Sequence, residues 1–199
     1  MKRLSGLRLN QASHDWRFWG RPEQIAPAGD WRTWVFMGGR GAGKTRAGAE
    51  WVSDLAQHGF GRIALVGPTF HDVREVMVEG NSGLRALAER PSYEASRKRV
   101  VWANGAQAFC FSAEDPESLR GPQFDAAWCD ELCFWAYPDE TLVTLEHALR
   151  LGERPRMLVT TTPRPIGALK RLIAAPDTAV THSTTWRNAA NVSPGFIAA

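Results

Sequence analysis

The chain has 199 residues, 44% of them apolar and 23% charged, with a formal net charge of +3 at pH 7. That composition suits one α/β domain able to bury its own core, and it excludes a bilayer-spanning helix, since no apolar run approaches the ~20 residues required. The basic start lacks the apolar stretch of a secretory signal, so a cytoplasmic protein with free thiols at Cys110, Cys129 and Cys133 is expected.

Residues 1–30 are rich in Trp, Arg, Pro and Gly without periodicity, and read as an arm ahead of a domain spanning 31–185. Within that domain apolar runs alternate with amphipathic segments, the pattern of βαβ units. Trp34–Met37 is predicted as a buried strand, and a Gly-rich loop then opens a helix from about Lys44 to His58. Arg62–Val66 is a second strand, stopped by Gly67-Pro68. Short helices are expected near 72–79 and 82–90. Arg99–Phe111 has β-rich runs on both sides of Asn104-Gly105, a hairpin signal. Phe124–Cys129 follows as a strand, Pro138–Arg150 as a helix, Arg156–Thr160 as a strand, Ile166–Ala174 as a helix and Ala179–Thr184 as a last strand. The fold class expected from this alternation is three-layer α/β with a mainly parallel central sheet.

The segment Gly38-Gly39-Arg40-Gly41-Ala42-Gly43-Lys44-Thr45 fits G-x-x-x-x-G-K-[ST]. Its glycines let the backbone curl so that successive N–H groups point at phosphates, and the helix that follows adds its positive N-terminus. Lys44 would reach the β- and γ-phosphates of ATP, and Thr45 would place its hydroxyl on Mg²⁺. Phe124-Asp125-Ala126-Ala127-Trp128-Cys129-Asp130-Glu131 is a mostly apolar strand ending in two carboxylates. Asp130 suits the metal and Glu131 the activation of a water. Residues 101–150 carry nine acidic and two basic side chains, as a metal–nucleotide centre would, whereas residues 1–50 carry nine basic and four acidic.

Other positions are more ambiguous read alone. Thr160-Thr161-Thr162 could sense a γ-phosphate or simply favour a strand. Arg120 resembles a surface charge, and Gln24 in the arm could read an adenine edge. Cys129 and Cys133 lack the further ligands of a zinc site, and the five His form no ligand spacing. No N-K-x-D guanine reader exists, which argues against a GTPase switch. A small-molecule kinase gives no reason for Asp-Glu followed by a Thr triplet. A helicase- or recombinase-like ATPase shares these features, and a non-catalytic assembly module is a further alternative.

Taken in order, GGRGAGKTRAGAEW, VGPTFHDVREVM, SLRGPQFDAAWCDE and LVTTTPRP resemble the ATPase domain of the large terminase, the DNA-packaging motor of tailed phages and gene transfer agents. The resemblance covers about residues 16–199 and implies the α/β three-layer P-loop NTPase fold with a mainly parallel central sheet, of the type with an additional strand and a catalytic Glu. It implies ATP-driven translocation of double-stranded DNA into a procapsid, by a homo-oligomeric ring docked on the portal protein and working with a small terminase subunit, while the chain could be a monomer in solution. It also implies that Thr160, Thr161 and Thr162 form the coupling motif and that Gln24 contacts adenine. Arg40 then matches a phosphate-contacting arginine, and Arg120 one acting on the neighbouring subunit's nucleotide. Family members carry a nuclease domain with clustered carboxylates after the ATPase domain. Here only Asp177 follows Pro163, so residues 186–199 are expected to begin a lid or linker, without nuclease activity in this chain.

Overall fold

The computed structural model describes residues 15–191 and Ser193. Eight strands form one sheet: β1 Thr33–Gly38, β2 Arg62–Gly67, β3 Ser92–Glu94, β4 Arg99–Val101, β5 Gln107–Ser112, β6 Ala126–Asp130, β7 Arg156–Thr161 and β8 Thr178–Ser183. Their spatial order is β3-β4-β5-β2-β6-β7-β1-β8. The run from β5 to β8 is parallel throughout, and β3 and β4 extend it as an antiparallel ribbon. The additional strand expected of this fold class is β7, which lies between β1 and β6.

Strand alternation explains the three layers. Trp34 and Phe36 of β1, Ile63 and Leu65 of β2, and Trp128 of β6 belong to one buried cluster, together with Ala47, Trp51, Val52 and Leu55 of helix α1, Lys44–Gln57. Val35, Ala64, Val66, Ala127 and Cys129 point the opposite way. They join a second cluster with Leu142 and Leu145 of helix α2, Pro138–Ala148, and Leu169 and Leu172 of helix α3, Gly167–Ala174. The strands are therefore apolar on both faces, as a parallel sheet covered by helices requires.

Gly48 lets α1 sit directly on the Trp128 indole. A Cβ at that position would lie 2.1 Å from Trp128 Cε2. The predicted helix over 82–90 is reduced to a single 3-10 turn, Leu84–Ala86. A Cβ on Gly83, just ahead of it, would fall 2.8–2.9 Å from the carbonyls of Val76, Met77 and Val78, so only glycine fits where the chain leaves the preceding helix. The helix predicted near 72–79 begins earlier, at Phe70, capped by the Thr69 side chain, and is wound as a π-helix over Val73–Val78. Strand β3, three residues long, is a further departure, and Phe124 falls outside β6 as an isolated bridge to Leu149. The Asn104-Gly105 hairpin is present, with Gly105 at φ +89°.

Candidate nucleotide site

The carboxyl ends of β1, β6 and β7 come together, the usual place for a ligand in an open parallel sheet. From β1 the chain enters the Gly-rich loop. Gly41 and Gly43 take φ of +72° and +83°, which side chains disfavour, and α1 begins at Lys44 with its N-terminus facing the loop. Lys44 is buried, 6% exposed. Its Nζ donates to the carbonyls of Gly38 (2.9 Å) and Gly39 (3.0 Å) and to Thr162 Oγ1 (3.1 Å). The same ammonium lies 3.1 Å from Glu131 Oε1.

Asp130, the last residue of β6, is also buried. Loss of solvation pushes its carboxyl up to about 7; the Thr160 hydroxyl opposes that shift, nearby Glu131 adds to it, and Lys44 opposes it. Thr160 donates to Asp130 Oδ1 at 2.6 Å while accepting from Trp128 Nε1 at 2.8 Å. The indole of Trp135 donates to the Asp130 carbonyl at 2.9 Å. Glu131 follows in a left-handed backbone conformation, φ +50°, uncommon for a residue with a side chain. Its Oε2 accepts from the Thr162 amide at 2.9 Å, and the Thr162 hydroxyl lies 3.3 Å from Oε1. Thr161 completes the set by accepting from the Cys133 amide at 3.0 Å.

Each threonine of the triplet thus engages the acidic strand end or the turn after it. The register explains this, since β6 and β7 pair with Asp130 opposite Thr160. Sequence spacing separates Lys44, Asp130, Glu131 and the threonines widely, yet the fold brings them into one cluster. A hydroxyl and a carboxylate, Thr45 and Asp130, are the hard oxygen donors that suit Mg²⁺, and the raised Asp130 carboxyl is one whose ionisation a cation would favour.

The other expected site residues stand apart from that cluster. Gln24 is 4% exposed; its Nε2 donates to the Gly43 carbonyl at 3.0 Å and its Oε1 accepts from the Arg21 amide at 3.3 Å. Each end of that amide keeps unused capacity, a second N–H and a second oxygen lone pair, with which an adenine edge could be met. Arg40 is exposed at the loop tip, its carbonyl accepting from Thr185 Oγ1 at 2.7 Å. Arg120 is exposed and paired with Glu117 at 2.9 Å. Sequence reasoning passed over Arg21, Thr185 and Asn188, which also touch the loop: Arg21 Nη2 donates to the Ala42 carbonyl and Asn188 Nδ2 to that of Gly41. No motif marks them, because they lie before β1 and after β8.

A family model described as "Terminase large subunit, T4likevirus-type, N-terminal" matches residues 35–198. Among solved structures, the large terminase ATPase domain of Thermus phage P74-26 is similar with a TM-score of 0.62 and 17% identity, covering 81% of this chain and 79% of that one. The large terminase of a second, thermophilic bacteriophage is similar with a TM-score of 0.69 and 15% identity, covering 93% of this chain; another structure of that protein holds ADP. The large terminase of bacteriophage HK97 has a TM-score of 0.62 and 19% identity, over 79% of this chain. The chain spans 47% of the thermophilic phage's protein and 36% of the HK97 protein. At these identities the likeness speaks for the fold. No curated protein matches the sequence.

Proposed function

The chain belongs to the terminase large-subunit family, matching its N-terminal domain, and on that premise we propose that it is the ATP-hydrolysing motor domain that drives double-stranded DNA into a procapsid. The observation that carries this reading is the convergence of Lys44, Glu131 and Thr162 beside a Gly-rich loop and a buried Asp130. Gly38, Gly39, Gly41, Ala42 and Gly43 offer the backbone that cradles the phosphates. Lys44 meets the β/γ-phosphates, exchanging contacts with Glu131 and the loop carbonyls for phosphate oxygens. Thr45 and Asp130 would hold Mg²⁺, which supplies neutralisation of phosphate charge. Glu131 positions the attacking water and takes up its proton. Freed from Lys44, it keeps the Thr162 amide as its orienting donor.

In this reading Thr160, Thr161 and Thr162 couple the nucleotide state to the rest of the motor, because they touch both carboxylates and the turn after them. Arg40 contacts phosphate from the loop tip, Gln24 contacts adenine, and Arg120 acts on the nucleotide of the next subunit in a ring. Family membership supports portal protein, small terminase subunit and double-stranded DNA as partners, and the host cytoplasm as the place of work. Among the described residues no helix is long and apolar enough to cross a membrane.

The test pairs a site variant with a choice of activator. Lys44→Ala should lose nucleotide binding and turnover. Wild-type turnover should rise with procapsids bearing portal protein and not with single-stranded DNA. Unchanged binding in Lys44→Ala removes the P-loop assignment; stimulation by single-stranded DNA alone favours a helicase-like motor.

A further inference from the structure

A phosphate-binding loop that turns its N–H groups inward turns its carbonyls outward, and outward carbonyls need partners of their own. Here four consecutive carbonyls are each met by a different side chain. Thr185 Oγ1 donates to Arg40 at 2.7 Å, Asn188 Nδ2 to Gly41 at 2.5 Å, Arg21 Nη2 to Ala42 at 2.8 Å and Gln24 Nε2 to Gly43 at 3.0 Å.

Two of these donors precede β1 and two follow β8, and the pairs are joined: Arg21 Nη1 donates to Asn188 Oδ1 at 2.6 Å. Glu23, 7% exposed, strengthens the join by accepting from Ser183 Oγ at 3.0 Å and pairing with Arg21 at 3.3 Å and Arg187 at 3.4 Å. The brace lies close against the loop. A Cβ at Gly43 would fall 2.4 Å from Gln24 Nε2, and one at Gly39 would fall 2.8 Å from Thr185 Oγ1.

We propose that Arg21, Thr185 and Asn188 are positioning residues for the phosphate site, which hold the loop in its binding shape from its outer side and tie that shape to the turn after β8, Thr185–Asn191. Resting on the nucleotide-binding reading above, this adds a second function to the glycines: they admit phosphate on one side and the brace on the other. A loop released from the brace samples shapes that bind nucleotide poorly, and its apparent affinity falls by the fraction of time spent in them.

The experiment measures ADP·Mg²⁺ affinity of the full chain by calorimetry alongside the melting temperature without nucleotide. Asn188→Ala and Thr185→Val remove a donor each, whereas Thr185→Ser keeps the hydroxyl. The expected result is binding weakened by about five- to tenfold in Asn188→Ala and Thr185→Val, with Thr185→Ser close to wild type. Variants that melt earlier yet bind ADP as wild type does would overturn the proposal, because the side chains would then only fasten the arm. If Asn188→Ala does not fold, the Thr185 pair decides by the same comparison. Failure of the wild-type chain itself to bind ADP would instead overturn the P-loop reading, and the brace with it.

Discussion

Glu131 sits where the backbone is left-handed and its carboxylate is held between the Thr162 amide and the Lys44 ammonium. Such a conformation costs of order 1 kcal/mol or more and persists where neighbouring contacts over-determine it. Glu131→Gln retains an oxygen for the Thr162 amide but cannot take up a proton. Turnover should fall by about 10²–10⁴ while ADP binding persists; a steady-state assay beside a binding titration checks both. Thr160 is the other residue on which the cluster turns, since one hydroxyl satisfies both the Trp128 indole and Asp130. Thr160→Val preserves shape and strands both partners, so urea unfolding should register a loss of about 1–3 kcal/mol. At this scale the sequence was most legible where chemistry is local. Lys44, Thr45, Asp130 and Glu131 announce themselves by spacing and by the strand ahead of them. Arg21 and Asn188, 167 positions apart, meet only through the fold.

Among the elements, α1 and β6 meet at a close contact. Gly48 lies mid-helix, where an exposed Gly→Ala change stabilises by about 0.5–1 kcal/mol. Here the added methyl would meet the Trp128 ring at 2.1 Å, and overpacking of a full core costs about 1–3 kcal/mol. Gly48→Ala should therefore destabilise the fold, and because Trp128 orients Thr160 it should also slow turnover. Thermal melting and an ATPase assay read the two effects. Strands of the parallel core were legible from their unbroken apolar runs, and α1 from its amphipathic pattern. The segment between β2 and β4 was legible only in its first helix, near 72–79. A Cβ at Gly80 or Gly83 would fall within 2.9 Å of nearby carbonyls, close approaches that no period announces, and strand β3 is too short to show one. The order of strands is not legible in the sequence: the fold class implies an additional strand, but alternation does not say that β7 is the one that inserts between β1 and β6.

For the molecule as a whole, Arg120 sets the expectation that the working unit exceeds one chain. It is exposed, pairs with Glu117 and does not join the Lys44–Asp130–Glu131 cluster. An arginine supplied by a neighbour typically contributes about 10³–10⁵ in rate, so the isolated chain should bind nucleotide and hydrolyse it poorly. Mixing Arg120→Ala with Glu131→Gln chains under assembly conditions should restore part of the activity, because some interfaces then combine both intact residues. Co-assembled mixtures that stay inactive would rule out action in trans.

Strand β7 is laddered to β1 on one side and β6 on the other. Sliding it by one residue, about 3.3 Å, would break both ladders and exchange its side chains between the two buried layers, Leu158 with Met157 and Val159. The middle of the sheet is therefore a stiff chassis rather than a piston. In the motor proposed above, a stroke would then leave through the loops at the rim, with the central strands standing still while the parts they carry move.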